Sequence, residues 1–443
     1  MPSRNPDPSK PPPKSIYLLL GTLGFLAVLA LGAMLILVLH EPSTPAPPAF
    51  QASPSSESQS PLGCAPLAIG WPVEGHPMIT HVAIYDLDGD GLPDILVCDA
   101  TANRVSWIRQ NPRGVFTEYP LGDPIPAPAH VSVADVNGDG KPDLLVASMG
   151  VILPNNDRIG KVVVLENLGG GQFRNHVVAE NIARVTDVRG ADLNGDGRMD
   201  LVVGQFGYVQ GEIRWMENLG DWNFRSHILL EKAGTIMTPV ADFDGDGKPD
   251  FAAVIAQESQ EVHFFRNLGG GNIQDNVIWK SPNQQWNSSG LTVADLNGDG
   301  LPDLIYSNGD GFDRGFYGPP PWHGLQWLEN RGAGNFVYHR IGDSPGCYSP
   351  IAVDLNGDGH LDIVTVSAFN KANDTSSVWM TAWLNDGRQN FTPVPLARSP
   401  THLITVAAGD LDGNGTPVLV TGGFFIYPPF TEMSRVTLWR RKL

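Results

Sequence analysis

The stretch Asp86-Leu-Asp-Gly-Asp-Gly-Leu-Pro-Asp94 holds carboxylates at relative positions 1, 3, 5 and 9 and glycines at 4 and 6. Such a set can surround one hard cation, since calcium takes about six to eight oxygen ligands at ~2.3–2.6 Å. Positions 1, 3, 5 and 9 offer side-chain oxygens, and the backbone carbonyl at position 7 is expected to add another. Glycine at 4 and 6 permits the backbone angles that turn the side chains inward. The stretch begins like an EF-hand, but position 12 is Val97 where that loop needs Glu, and β-type sequence flanks it where helices should stand. No His or Cys joins the set, which argues against soft metals.

The pattern recurs. The candidate calcium ligands are Asp86, Asp88, Asp90 and Asp94; Asp135, Asn137, Asp139 and Asp143; Asp192, Asn194, Asp196 and Asp200; Asp242, Asp244, Asp246 and Asp250; Asp295, Asn297, Asp299 and Asp303; and Asp354, Asn356, Asp358 and Asp362. A seventh, degenerate copy starts at Asp410 and ends in Val418, so about six calcium sites are expected. Successive copies start 49, 57, 50, 53, 59 and 56 residues apart, a period that calls for a repeat architecture.

Charge supports the same reading. The 443 residues carry a formal net charge of −18, and the seven loops contain 22 of the 47 acidic residues. The acidity is gathered at sites. It argues against nucleic acid as a partner, because phosphate binding needs a basic footprint. Three cysteines, Cys64, Cys98 and Cys347, make neither a disulfide framework nor a zinc site. Cys64 and Cys347 are a possible pair in an oxidising compartment.

The elements that position the loops are short strands. In residues 185–230 an apolar run enters the acidic loop, Met199-Asp-Leu-Val-Val-Gly204 leaves it, Glu212–Glu217 follows, and an Asn-Leu-Gly-Asp turn leads to Phe224–Leu230. Short β-rich runs between Gly and Asn turns give consecutive antiparallel strands. The third strand carries a large residue at one recurring place: Trp107, Val164, Trp215, Phe264, Trp327, Trp383 and Trp439. These are expected to pack between adjacent sheets. The last repeat lacks a fourth strand, and Pro66–Trp71 is an orphan strand before the first. Joining the two closes seven four-stranded antiparallel sheets into an all-β, seven-bladed propeller over residues 65–443.

The repeat Asp-x-(Asp/Asn)-Gly-Asp-Gly-x-x-Asp between two strands resembles the FG-GAP/VCBS repeat family, which includes the propeller of integrin α-chains. The resemblance covers about residues 65–443. It implies a calcium-stabilised propeller that often binds proteins or glycans at cell surfaces, with the Asp and Asn positions of the six intact loops as ligands.

Upstream, residues 1–15 are Pro-rich and carry Arg4, Lys10 and Lys14 against Asp7. Ile16–Leu39 runs 24 residues without a charge. As a helix it spans about 36 Å, enough to cross a ~30 Å hydrocarbon core. The expectation is an uncleaved N-terminal transmembrane helix with a cytoplasmic tail and an extracytoplasmic propeller, at the periplasm or cell surface. Val28 interrupts the small-residue spacing of Gly24 and Gly32, which argues against a homodimer through this helix. Residues 40–64 read as a Pro/Ser-rich spacer. The sequons Asn287-Ser-Ser289 and Asn373-Asp-Thr375 matter only in a host that glycosylates.

Strand parity puts the acidic loops and the Asn-Leu-Gly turns on one face. The opposite face carries Phe206, Tyr208, Trp286, Phe312, Phe316, Tyr317, Trp322, His323, Phe369, Phe424, Phe425 and Tyr427. Aromatics among Gly, Pro and Asn suit a sugar face or a peptide, and local loop packing is the competing expectation. The leading reading is a non-enzymatic binding module, with no catalytic residue assigned. The alternative is a carbohydrate-active, lyase-like enzyme using His81, His130, Asp187 and Arg189, which would have to meet in one pocket.

Overall fold

A computed structural model describes residues 62–153, 155–312 and 318–441. The expected tail, membrane span and most of the spacer, as well as Phe316 and Tyr317, lie outside the described residues. Among the described residues no helix is long and apolar enough to cross a membrane.

The described residues make seven antiparallel sheets, six with their strands in sequence order and the seventh completed by the first strand of the chain. Blade 3 is representative, with strands Arg184–Ala191, Asp200–Phe206, Ile213–Asn218 and Phe224–Leu230. In every intact repeat the second strand begins at the last Asp of the acidic loop and its first six residues are buried. A strand covered on both faces reads as a continuous apolar run, here Leu-Leu-Val-Ala or Phe-Ala-Ala-Val-Ile. In blade 4 Pro239 interrupts the first strand, which splits into Thr235–Met237 and Val240–Ala241.

The ring closes as the orphan strand implies. Cys64–Ile69 pairs with Val436–Arg441, Pro66 facing Trp439, and completes the last blade. A buried ion cluster locks that blade to the first. The Arg435 guanidinium binds Glu118 through two nitrogens (2.7 and 2.8 Å) and Asp99 through Nε (3.0 Å), while the Trp71 N–H donates to Glu118 at 2.6 Å. The three cysteines are free and buried, and Cys64 and Cys347 do not pair.

Each seam between blades holds its own apolar cluster. Trp107 packs with blade 2 residues, Trp215 with blade 4, Phe264 with blade 5 and Trp327 with blade 6. Two departures from a uniform aromatic ladder have physical causes. Val164 leaves room in the seam between blades 2 and 3, and Trp222 of blade 3 packs into that cluster. Trp222 has φ +60° at a turn position that is Gly171 in blade 2 and Gly271 in blade 4. A Cβ at Gly271 would stand 2.5 Å from Trp215, so the glycine goes with the large neighbour and Trp222 goes with the small one. The second departure is register. Strand pairing equates Trp107 with Ala382 and Leu438, not with Trp383 and Trp439, which sit one place later and therefore on the other face of their strands.

Candidate metal loops and the axial cluster

All six intact loops share one hydrogen-bond plan. In the first, the Asp86 carboxylate accepts the N–H groups of Gly89, Asp90 and Gly91 at 2.9, 3.2 and 2.9 Å, and Asp90 accepts that of Leu92 at 2.9 Å. The glycines at positions 4 and 6 have φ between +67° and +88° in all seven loops. In loop 1 a Cβ on Gly89 or Gly91 would meet nothing within 4 Å, so conformation, not space, requires glycine.

The last Asp does the most structural work. Asp94 is fully buried; its Oδ2 accepts the Leu87 N–H (3.2 Å) and its Oδ1 accepts the N–H of Gln110 on strand three (2.8 Å). Asp143, Asp200, Asp250, Asp303 and Asp362 repeat both bonds. Burial pushes Asp94, Asp250 and Asp303 up to about 6 and raises Asp143, Asp200 and Asp362. From the strand-three position next to this Asp, an Asn side chain reaches back to the preceding blade. Asn218, Asn267 and Asn330 donate to the carbonyls of Val136, Leu193 and Phe243 at 3.1, 3.0 and 2.7 Å. Around the last blade, where the Asn is missing, Arg441 and Arg113 bond the carbonyls of Leu355 and Leu411 instead. The acidic loops thus couple strands one, two and three and then the blades themselves.

The donor set fits calcium. It is all oxygen, and one carboxylate oxygen from each of Asp86, Asp88 and Asp94, and likewise of Asp242, Asp244 and Asp250, lies within 4.8 Å of the others. The buried last carboxylate is the group a cation would most favour in its charged form.

At the axis, the residue five places before each loop follows a β-bulge, which re-aims its side chain. The His81 and His130 rings are tilted by 39° with centroids 3.9 Å apart, His130 Nδ1 lies 3.0 Å from Asp187, and Arg189 Nε lies 3.0 Å from the same carboxylate. The four candidates therefore do meet. Yet Asp187 also accepts the Thr238 N–H (2.7 Å), His81 accepts that of Val131 (3.4 Å), and Thr405 accepts that of Val82 (3.2 Å). Each ties its inner strand to the next blade's. Asp187 is fully buried and His130 is 3% exposed, which leaves no room beside either for a sugar ring.

The aromatic face is largely turned inward. Phe424, Phe425 and His323 are buried. Phe312 packs edge-on against Phe369 (5.0 Å) and Phe424 (5.8 Å), and Tyr427 donates to the Phe312 carbonyl. Phe312, Phe369 and Phe424 belong with Met78, Met149 and Ile152 to one apolar cluster drawn from blades 1, 2, 5, 6 and 7. Phe206, Tyr208, Trp286, Trp322 and Tyr427 remain half-buried. Sequence reasoning missed the aliphatic residues on this face: Val151, Leu153 and Val209 are 39, 57 and 73% exposed. Their loops, in blades 2 and 3, are joined by Asn156, whose side chain accepts the N–H groups of Tyr208 and Val209. Beneath them Arg184 bonds the Ile152 and Leu153 carbonyls and lies over the Phe206 ring. A flat run of Ile, Leu and Val in a loop carries no periodic signal from which exposure could be read.

A family profile described as FG-GAP-like repeat matches residues 86–146, 192–253, 242–306 and 308–365, together more than half of the chain. A T-cell immunomodulatory protein homolog of Plasmodium falciparum (isolate 3D7) is 25% identical over 262 residues, covering 52% of this chain and 36% of the relative. The match thus spans about a third of that relative's length. Among solved structures the chain is similar to BBS1N in its complex with ARL6DN, with TM-score 0.48 and 11% identity over 84% of this chain and 94% of that one. It is also similar to the V. cholerae biofilm matrix protein Bap1, with TM-score 0.44 and 14% identity over 83% and 88%.

Proposed function

The chain belongs to the FG-GAP-like repeat family, and on that premise we propose a membrane-anchored, calcium-stabilised binding module whose ligand docks on the face opposite the acidic loops. One observation carries the choice of face: Val151, Leu153 and Val209 stand exposed on two loops hydrogen-bonded through Asn156 and Arg184. Contiguous apolar side chains in water mark interaction sites more often than monomer surface. Aliphatic groups beside the half-buried Phe206 and Tyr208 favour a protein over a glycan as ligand. The support for calcium is the oxygen donor set; the residues that would hold the ions are the Asp and Asn of the six loops. A bound ion supplies positive charge to the clustered carboxylates. The chain supplies the hydrogen bonds that hold those carboxylates in place and the strand ties that carry the loop's rigidity to the blades. The uncharged run 16–39 supports the anchor, with the propeller extracytoplasmic.

The test is capture of surface-exposed protein and an arrayed glycan set by the full chain, with Leu153→Asp/Val209→Asp as control. Loss of capture at unchanged melting temperature supports this face; undiminished capture contradicts it. A second reading, a lyase on acidic polysaccharide, draws on the meeting of His81, His130, Asp187 and Arg189. A rise in ultraviolet absorbance from unsaturated product, abolished in His130→Gln, would favour it; burial of His130 and Asp187 speaks against it.

A further inference from the structure

The loops fall into two classes that the hydrogen-bond plan alone does not explain. At position 3 of the loop, blades 1, 4 and 7 carry Asp (Asp88, Asp244, Asp412), while blades 2, 3, 5 and 6 carry Asn. The pairing of strands two and three fixes the strand-three residue that faces this position. It lies two places after Trp107, Val164, Trp215, Phe264, Trp327, Ala382 and Leu438 in blades 1 to 7. In the three Asp blades it is Arg109, Arg266 and Arg440. In the Asn blades it is Glu166, Glu217, Glu329 and Leu384.

The contacts follow the class. Arg109 meets Asp88 at 2.6 Å and Asp90 at 3.3 Å; Arg266 meets Asp244 at 2.5 Å; Arg440 grips Asp412 through Nε and Nη2, both at 2.9 Å. The three Glu turn away from their loops and bind His176, His227 and His339 at 2.7, 2.9 and 2.8 Å. An arginine thus appears wherever position 3 is a carboxylate. Four carboxylates with one guanidinium, or three carboxylates alone, leave the same three net negative charges around the ion. Position 7 adds Lys141, Arg198 and Lys248 on the position-5 carboxylates in loops 2, 3 and 4, but these side chains are 41–48% exposed and screened by water.

Loop 7 keeps the arginine and loses the rest. Position 5 is Asn414 and position 9 is Val418, so Asp410 and Asp412 remain with Arg440 between loop and strand. A second guanidinium, Arg113, would touch a Cβ on Gly413 at 2.3 Å and donates to the Leu411 carbonyl. We infer that the strand-three arginine is the fixed counter-ion of the position-3 carboxylate: Arg109 and Arg266 stand beside calcium in loops that keep the other three carboxylates, and Arg440 is the resident cation of loop 7, which has lost two of them and takes no calcium. This rests on the calcium reading above and adds to it what balances the charge at position 3 with and without an ion.

The experiment is a calcium titration of the full chain against a competing chelator, with melting curves in excess calcium and in excess chelator. The wild type binds six ions. Arg440→Gln still binds six, and its melting temperature falls equally in calcium and in chelator, because no ion replaces the guanidinium. Arg109→Gln loses stability in chelator only, and its site tightens about tenfold as one repelling charge leaves the neighbourhood of a divalent ion. Asn414→Asp/Val418→Asp, which gives loop 7 the composition of loop 1, raises the count to seven. Seven ions in the wild type, or an Arg440→Gln deficit that calcium repairs, overturns the inference. Zero ions in the wild type overturns the calcium reading itself, and does so without touching the Arg440→Gln comparison in chelator.

Discussion

Replacing Arg435 tests how the ring is closed. Its guanidinium side chain is 5% exposed, and the Glu118 and Asp99 side chains it holds are 0 and 6% exposed. Glu118 also accepts the Trp71 N–H and the Ser106 hydroxyl, so one cluster joins the N-terminal strand, the last blade and the first blade. Arg435→Met keeps the aliphatic stem but leaves buried Glu118 without its cation and Asp99 with only Arg104 at 4.0 Å. Breaking a buried pair from one side costs about 3–5 kcal/mol. With roughly 380 ordered residues at ~2.1 cal/mol/K each, the entropy of melting is about 0.8 kcal/mol/K, so the expected fall is about 4–6 °C. Scanning calorimetry in excess calcium reads it. Glu118→Leu/Arg435→Met removes both charges and should recover more than half of the loss. A single variant melting within about 1 °C of the wild type refutes the closure argument, as does a double variant no better than the single one.

Three further outcomes are expected. Burial, then His130 and Arg189, hold His81 well below the usual histidine range, with Asp187 pulling the other way, and burial, then Arg189, holds His130 there too. The unfolded chain binds these protons near pH ~6.5 and the folded chain does not, so each histidine removes up to ~1.4 kcal/mol per pH unit as the pH drops below ~6.5. Urea melts of His130→Gln in calcium should show a slope shallower by about one proton, and an unchanged slope contradicts the assignment. Asp94, Asp250 and Asp303, raised to about 6, act oppositely: without an ion they lose stability as the pH rises through that value. Asp94→Ala, measured in excess chelator so that no ion contributes, orphans the Leu87 and Gln110 N–H groups and should cost about 2–4 kcal/mol. A cost below about 1 kcal/mol by denaturant melting would show that water takes over both bonds.

Much of the fold is legible because repeats average out local noise. Seven acidic loops, a missing last strand and an orphan first one specify the blades and their closure. Depth is less legible. Parity assigns Phe424 and Phe312 to a face, but only the arching of loops across neighbouring blades buries them in a shared cluster. A one-residue shift at Trp383 and Trp439 changes which seam they fill, and its trace in the sequence is Phe391, eight residues after Trp383 where Phe116 stands nine after Trp107. The exchange of Val164 and Trp222 spans two blades, beyond the reach of a window along the chain. The Asp-with-Arg pairing lies in the sequence too, but it becomes visible only once the strand register says which residues face each other.

The most direct test of the account is the melting temperature of the full chain in excess calcium and again in excess chelator. Six loops that couple three strands and the blades to one another predict a marked fall on chelation, restored by added calcium. Equal melting temperatures in the two conditions would contradict a calcium-stabilised propeller.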